Sequence, residues 1–122
     1  MKRPQYIFVS DNPLKAKVLK MGYCDRPLIF TVKTNLEVLE HLVNKDVAGV
    51  ILDLEAEEKI GENNYTDFLH TLVNCLNSKQ FICAVSNNWK KREKFRLDYA
   101  IQSYDWNELA KKIKNGSLPE KA

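Results

Sequence analysis

Apolar positions along the chain change period in a regular order. Tyr6-Ile7-Phe8-Val9 is a short run of β-formers, and it predicts a buried strand. Ser10-Asp11-Asn12-Pro13 follows as a turn cluster, with the proline placed to open a helix. Leu14, Val18 and Met21 then recur at helical spacing, Lys15, Lys17 and Lys20 take the other face, and Gly22 closes the segment. Pro27 to Val32 predicts a second strand. Thr34 and Glu37 form a capping box ahead of Leu36, Leu39, Leu42 and Val43, a second amphipathic helix. Val47 to Asp53 is the most continuous apolar run, which suits a central strand covered on both faces.

An acidic loop from Glu55 to Asn64, with Gly61 as its flexible point, leads to a third helix marked by Tyr65, Phe68, Leu69, Leu72 and Leu76. Phe81 to Val85 predicts the fourth strand. Trp89 to Arg96 is basic and predicts one or two helical turns, and Tyr99-Ala100-Ile101 predicts a short fifth strand. Asp105 and Glu108 cap a last helix that buries Leu109, Ala110 and Ile113 and stops at Gly116. Trp106, just after the cap, reads as a packing residue. Strands alternating with amphipathic helices argue for βαβ units and a parallel sheet. Five such units predict a flavodoxin-like, three-layer α/β/α fold with strand order 2-1-3-4-5 and a short fourth helix. Residues 1–116 form the expected domain and 117–122 a tail or linker.

Composition narrows the class. A chain of 122 residues matches one domain, and 4 Gly with 4 Pro exclude collagen-like or low-complexity character. No apolar run approaches the roughly 18 residues of a membrane helix. No signal peptide is expected ahead of the first strand, so a cytoplasmic location is expected. The net charge of +3 is mild and does not by itself imply nucleic acid. Cys24, Cys75 and Cys83 are odd in number, lack a CxxC pair and read as reduced thiols. His41 and His70 lie near no pair of cysteines, so they read as helix-surface residues and not as zinc ligands.

In open α/β sheets the functional crevice lies beyond the C-terminal strand ends. Strand ends at Ser10-Asp11, Asp53, Ser86 and Gln102 would bring two carboxylates, a hydroxyl and an amide to one rim. Two close carboxylates repel unless a proton or cation sits between them. Mg²⁺ takes oxygen ligands and often needs only one or two carboxylates. Beside this stands the plainer reading, in which a strand-end Asp is a turn former or helix cap.

Val9-Ser10-Asp11-Asn12-Pro13, Val50-Ile51-Leu52-Asp53-Leu54, Val85-Ser86 and Asp98-Tyr99-Ala100-Ile101-Gln102 together resemble the receiver domain of bacterial two-component response regulators. The resemblance spans nearly the whole chain. It implies that Asp53 is the phosphoacceptor and that Asp11 and Asp53 ligate Mg²⁺, with the backbone carbonyl of Glu55 completing the metal site. It also implies that Ser86 hydrogen-bonds the phosphoryl group and that Tyr99 is the aromatic that swings inward on activation. The partners implied are a sensor histidine kinase and an output protein in a phosphorelay.

Departures from the family pattern point to a degenerate, or pseudo-, receiver. Ser10 replaces the first acid of the acidic pair, Gln102 stands at the usual lysine position, and Ser103 replaces the following proline. The stretch after Asp53 lacks the usual methionine–proline turn, and the interval from Ser86 to Gln102 is shorter than the family norm. Replacing an ammonium by an amide would cost about 10- to 100-fold in phosphoryl stabilisation. A phosphorylation-independent module for protein–protein contact, or a homodimer through a helical face, is therefore the alternative. Five basic residues within 90–96, beside Trp89 and Phe95, allow a nucleic-acid adaptor. A solvated helix is the plainer reading of that stretch, and the acidic segment from Glu55 to Glu62 on the same rim opposes the adaptor. No Gly-rich phosphate loop, nucleophile–base pair or rim histidine suggests an independent enzyme.

Overall fold

Successive residues of a strand point to opposite faces, so an unbroken apolar run requires cover on both sides. That requirement organises this chain. The computed structural model describes residues 5–10, 14, 15, 17, 28–31, 47–56, 69–74, 76 and 80–114. Five parallel strands, β1 (Gln5–Val9), β2 (Leu28–Thr31), β3 (Val47–Asp53), β4 (Phe81–Val85) and β5 (Ser103–Tyr104), form one sheet in the order β2-β1-β3-β4-β5. Parallel pairing puts every strand's C-terminal end on the same rim. Asp53 lies level with Val85, and Val85 with Tyr104.

Two cores follow from the alternation. Ile7, Val9, Val50, Leu52 and Ala84 pack on one face with Leu69 and Leu72 of the helical segment 69–74, and with Phe95 and Ile101. Tyr6, Phe8, Ile51, Cys83 and Val85 pack on the other face with Tyr104 and Leu109. Helices α1 (Trp89–Tyr99) and α2 (Trp106–Lys114) therefore cover opposite faces. Residues 14, 15 and 17 are also helical. Trp106 meets the ring of Phe8 edge-on at 5.8 Å, in keeping with a packing role. At Gly49 the backbones of β3 and β4 approach so closely that a Cβ would lie 2.6 Å from the carbonyl oxygen of Phe81.

Two expectations need correction. Helix α1 has 11 residues, three turns rather than one or two, so the fourth helical element is not short. The fifth strand is Ser103–Tyr104, not Tyr99-Ala100-Ile101. Both errors share one cause. Phe95 and Tyr99 are four apart, and their rings pack at 4.9 Å, which carries the helix through Tyr99. Ala100 then takes the left-handed conformation at φ 55°, and its N–H donates to the Arg96 carbonyl, closing the helix. A period-two reading of Tyr99 to Ile101 cannot detect that turn.

Two further expectations, the last capping box and an exposed His70, match the described residues. Asp105 and Glu108 make the capping box: Glu108 N–H donates to Asp105 Oδ1 at 2.7 Å, and Asp105 N–H donates to Glu108 Oε1 at 3.4 Å. His70 is exposed on the helical segment 69–74. Cys83 is buried in the core. Among the described residues no helix is long and apolar enough to cross a membrane. The Thr34–Glu37 box, His41, Cys24, Cys75, Gly22, Gly61 and Gly116 lie outside the described residues.

Candidate functional site

The rim is built around one carboxylate. Asp53 ends β3, the strand covered on both sides, and its side chain is 0% exposed. A buried charge is costly unless its oxygens are bonded. Both oxygens of Asp53 are. Ser10, the residue that leaves β1, donates its hydroxyl to Oδ2 at 2.6 Å. Lys15 reaches the same oxygen with its ammonium at 3.1 Å. Oδ1 accepts the backbone N–H of Glu55 at 3.2 Å, an Asx-type turn that starts the 3-10 turn Leu54–Ala56.

Glu55 folds its side chain back over the same rim. Its Oε1 accepts the Ser86 hydroxyl at 2.6 Å, and its Oε2 is enclosed with no hydrogen-bond partner among the described residues. Ser86, the first residue after β4, is fully buried. Its Oγ accepts the Asn88 N–H at 3.0 Å, and its carbonyl accepts Arg92 Nη1 at 2.7 Å. Asn88 caps α1, its Oδ1 accepting the N–H groups of Lys90 and Lys91. One chain of contacts therefore runs from Lys15 through Asp53, Glu55 and Ser86 to the start of α1.

The two carboxyls titrate in opposite directions. Burial pushes the Asp53 carboxyl upward. The hydrogen bonds with Glu55, Ser10 and Lys15, and the charge of Lys15, outweigh that and hold it below the ordinary 3.8. Burial, followed by its side-chain interaction with Asp53, lifts Glu55 above the ordinary 4.5. The pair is best described as an ionised Asp53 beside a Glu55 that keeps its proton more readily.

The residues singled out by sequence separate into two groups. Asp53, Ser86, Ser10 and Glu55 come together. Glu55 enters through its side chain, which sequence reasoning did not anticipate. Asp11 lies outside the described residues. Gln102 is exposed and precedes β5, where its carbonyl accepts the Ala84 N–H at 2.9 Å. The residue that leaves β5 at the rim is Asp105, the cap of α2. Tyr99 is ten residues along α1 from Trp89, about 15 Å from the helix start. It lines a cavity of about 200 Å³ with Leu69, Val73 and Ile101.

Lys15 was the residue missed. On the sequence it belongs to a polar helical face with Lys17 and Lys20. One signal was available: a lysine in the first turn opposes the helix dipole, which favours acids there. Its ammonium also lies 5.9 Å from the centroid of the Trp106 ring, so α2 helps to aim it.

The metal implied by the receiver resemblance can be tested against this donor set. Mg²⁺ requires close to octahedral oxygen coordination. Here Oδ2 of Asp53 is shared by an ammonium and a hydroxyl, and Oδ1 by a backbone N–H. Among the described residues Glu55 Oε2 is one uncommitted oxygen, on a carboxyl that burial shifts upward. Among the described residues, this arrangement does not supply the oxygen ligands of a divalent cation.

No family model matches this sequence, and no curated protein matches it. Among solved structures it is similar to a chain from the co-crystal structure of the Saccharomyces cerevisiae histidine phosphotransfer signaling protein Ypd1 and the receiver domain of its downstream response regulator Ssk1. The likeness covers 98% of this chain and 94% of that one, at a TM-score of 0.56 and 15% identity. That degree of likeness speaks to the fold alone, a parallel α/β sheet with helices.

Proposed function

We propose that this chain is a receiver-like signalling domain that works through contact with a protein partner, without phosphorylation of Asp53. The observation that carries the reading is the state of Asp53: its side chain is fully buried, and both oxygens already hold donors from the chain itself. An attacking carboxylate needs a free, approachable oxygen. The partner would be a signalling protein of the phosphorelay type, in line with the complex that contains the similar fold. The domain would act as a binding module and not as an enzyme, in the cytoplasm.

A second reading is favoured by one specific observation. A carboxylate, the Ser86 hydroxyl and a lysine ammonium converge on a single rim, and such a set could hold a transferred phosphoryl group. Asp53 would then be the acceptor and Ser86 a donor to the phosphoryl oxygens. Two-dimensional NMR with beryllofluoride and Mg²⁺, with Asp53→Asn as control, separates the two. Unmoved resonances of Ser10, Asp53, Glu55 and Ser86 are expected on the first reading. Shifts centred on them and lost in Asp53→Asn establish the second.

A further inference from the structure

We propose that Lys15 is the cation of this rim, an internal ammonium that takes the place of a divalent metal on Asp53. The inference rests on the reading of the Asp53 rim as the functional site, and it names what keeps that site closed. The Lys15 ammonium lies 3.1 Å from Asp53 Oδ2, the oxygen that also receives the Ser10 hydroxyl. Its position is set from two sides. The residue belongs to the helical segment that follows β1, and its charged end lies over the Trp106 ring of α2 at 5.9 Å. The Lys15 side chain is 30% exposed while that of Asp53 is 0% exposed, so the ammonium closes the carboxylate off from solvent yet remains partly hydrated itself.

Three features make this more than a surface ion pair. The carboxylate is fully buried, so removing its counter-charge leaves a buried ion without compensation. Ser10, the other side chain on Asp53 Oδ2, is neutral, so among the described residues the Lys15 ammonium is the positive charge on this carboxylate. Among the described residues the Glu55 carboxyl is turned to Ser86 and leaves the ammonium to Asp53. A dication bound to Asp53 would have to displace the ammonium or sit beside it, and like charges at such a distance repel strongly away from bulk water.

The test is a Mg²⁺ titration of the full chain followed by two-dimensional NMR, on the natural protein, Lys15→Met and Asp53→Asn. It uses neither a partner nor a phosphoryl donor, so its outcome is separate from that of the proposed function. The natural protein is expected to show no saturable shift at Ser10, Asp53 or Glu55 in the millimolar range. Lys15→Met is expected to gain a site at least about tenfold tighter, because the competing charge is gone, and Asp53→Asn should lack it. Saturable binding at Asp53 in the natural protein, or no gain in Lys15→Met, overturns the proposal. If Lys15→Met does not fold, the double variant Lys15→Met/Asp53→Asn decides. Recovered folding upholds the pairing, and a double variant no more stable than the single one overturns it.

Discussion

Glu55 and Ser86, 31 positions apart in sequence, are joined by a 2.6 Å hydrogen bond in which the hydroxyl donates to the carboxyl. The bond links the turn after β3 to the loop that starts α1. Ser86 also receives the Asn88 N–H, so one hydroxyl serves both elements. Ser86→Ala should leave Glu55 with two unpartnered oxygens and free the Asn88 N–H. The expected loss is about 1–3 kcal/mol of unfolding free energy in urea denaturation. A change below about 0.5 kcal/mol would show that the bond carries no structural weight.

The opposite shifts of Asp53 and Glu55 predict a pH signature. Asp53 is held below 3.8, so its stabilising contribution is full above that value and is lost as pH falls through the folded value. Glu55 is raised above 4.5, so its contribution is full below that value and is lost as pH rises through the folded value. Glu55→Gln stays neutral at every pH. Its stability relative to the natural protein should therefore be higher at pH 7 than at pH 4. Asp53→Asn should flatten the acid limb of the natural profile. Denaturation curves collected between pH 3 and 7 test both, and a pH-independent difference for Glu55→Gln rejects the assignment.

Ala100 ends α1 at φ 55°, a conformation that a side chain disfavours and glycine accepts. Ala100→Gly should raise stability by about 0.5–1 kcal/mol, with the usual entropy cost of glycine set against relief of the strain. A rise of a few degrees in Tm is the expected readout. A fall in Tm would mean that the turn is strained less than its geometry indicates.

Gly49 predicts the reverse. A Cβ there would meet Phe81 ring carbons at 2.5 and 2.6 Å and its carbonyl oxygen at 2.6 Å. The ring can turn, but the carbonyl belongs to the paired strand and cannot withdraw without opening the ladder. Gly49→Ala should cost about 1–3 kcal/mol, seen as a lower denaturation midpoint with an unchanged slope.

How far the sequence could be read follows from the range of each interaction. Strands β1, β3 and β4 were legible because their apolar runs are long and flanked by turn residues. The cap at Asp105 was legible because both of its bonds are local. The end of α1 was not, since it depends on a ring pair four residues apart and a left-handed alanine, neither of which alters the hydrophobic pattern. Asp53 and Ser86 could be placed on the rim by topology alone. Lys15 and the Glu55 side chain could not, because each is set by a partner 38 or 31 residues away. Side-chain direction at a turn carries no period to read.

The brevity of β5 has a consequence for self-association. An exposed edge strand offers a row of unpaired N–H and C=O groups on which another chain can add. Here the edge beyond β4 is only two residues long, and α2 starts at Trp106, two positions after it ends. A strand added there would find too few groups to hold its register. That side of the sheet is thus protected against edge-to-edge aggregation, and it favours recognition through helix surfaces and loops over strand addition.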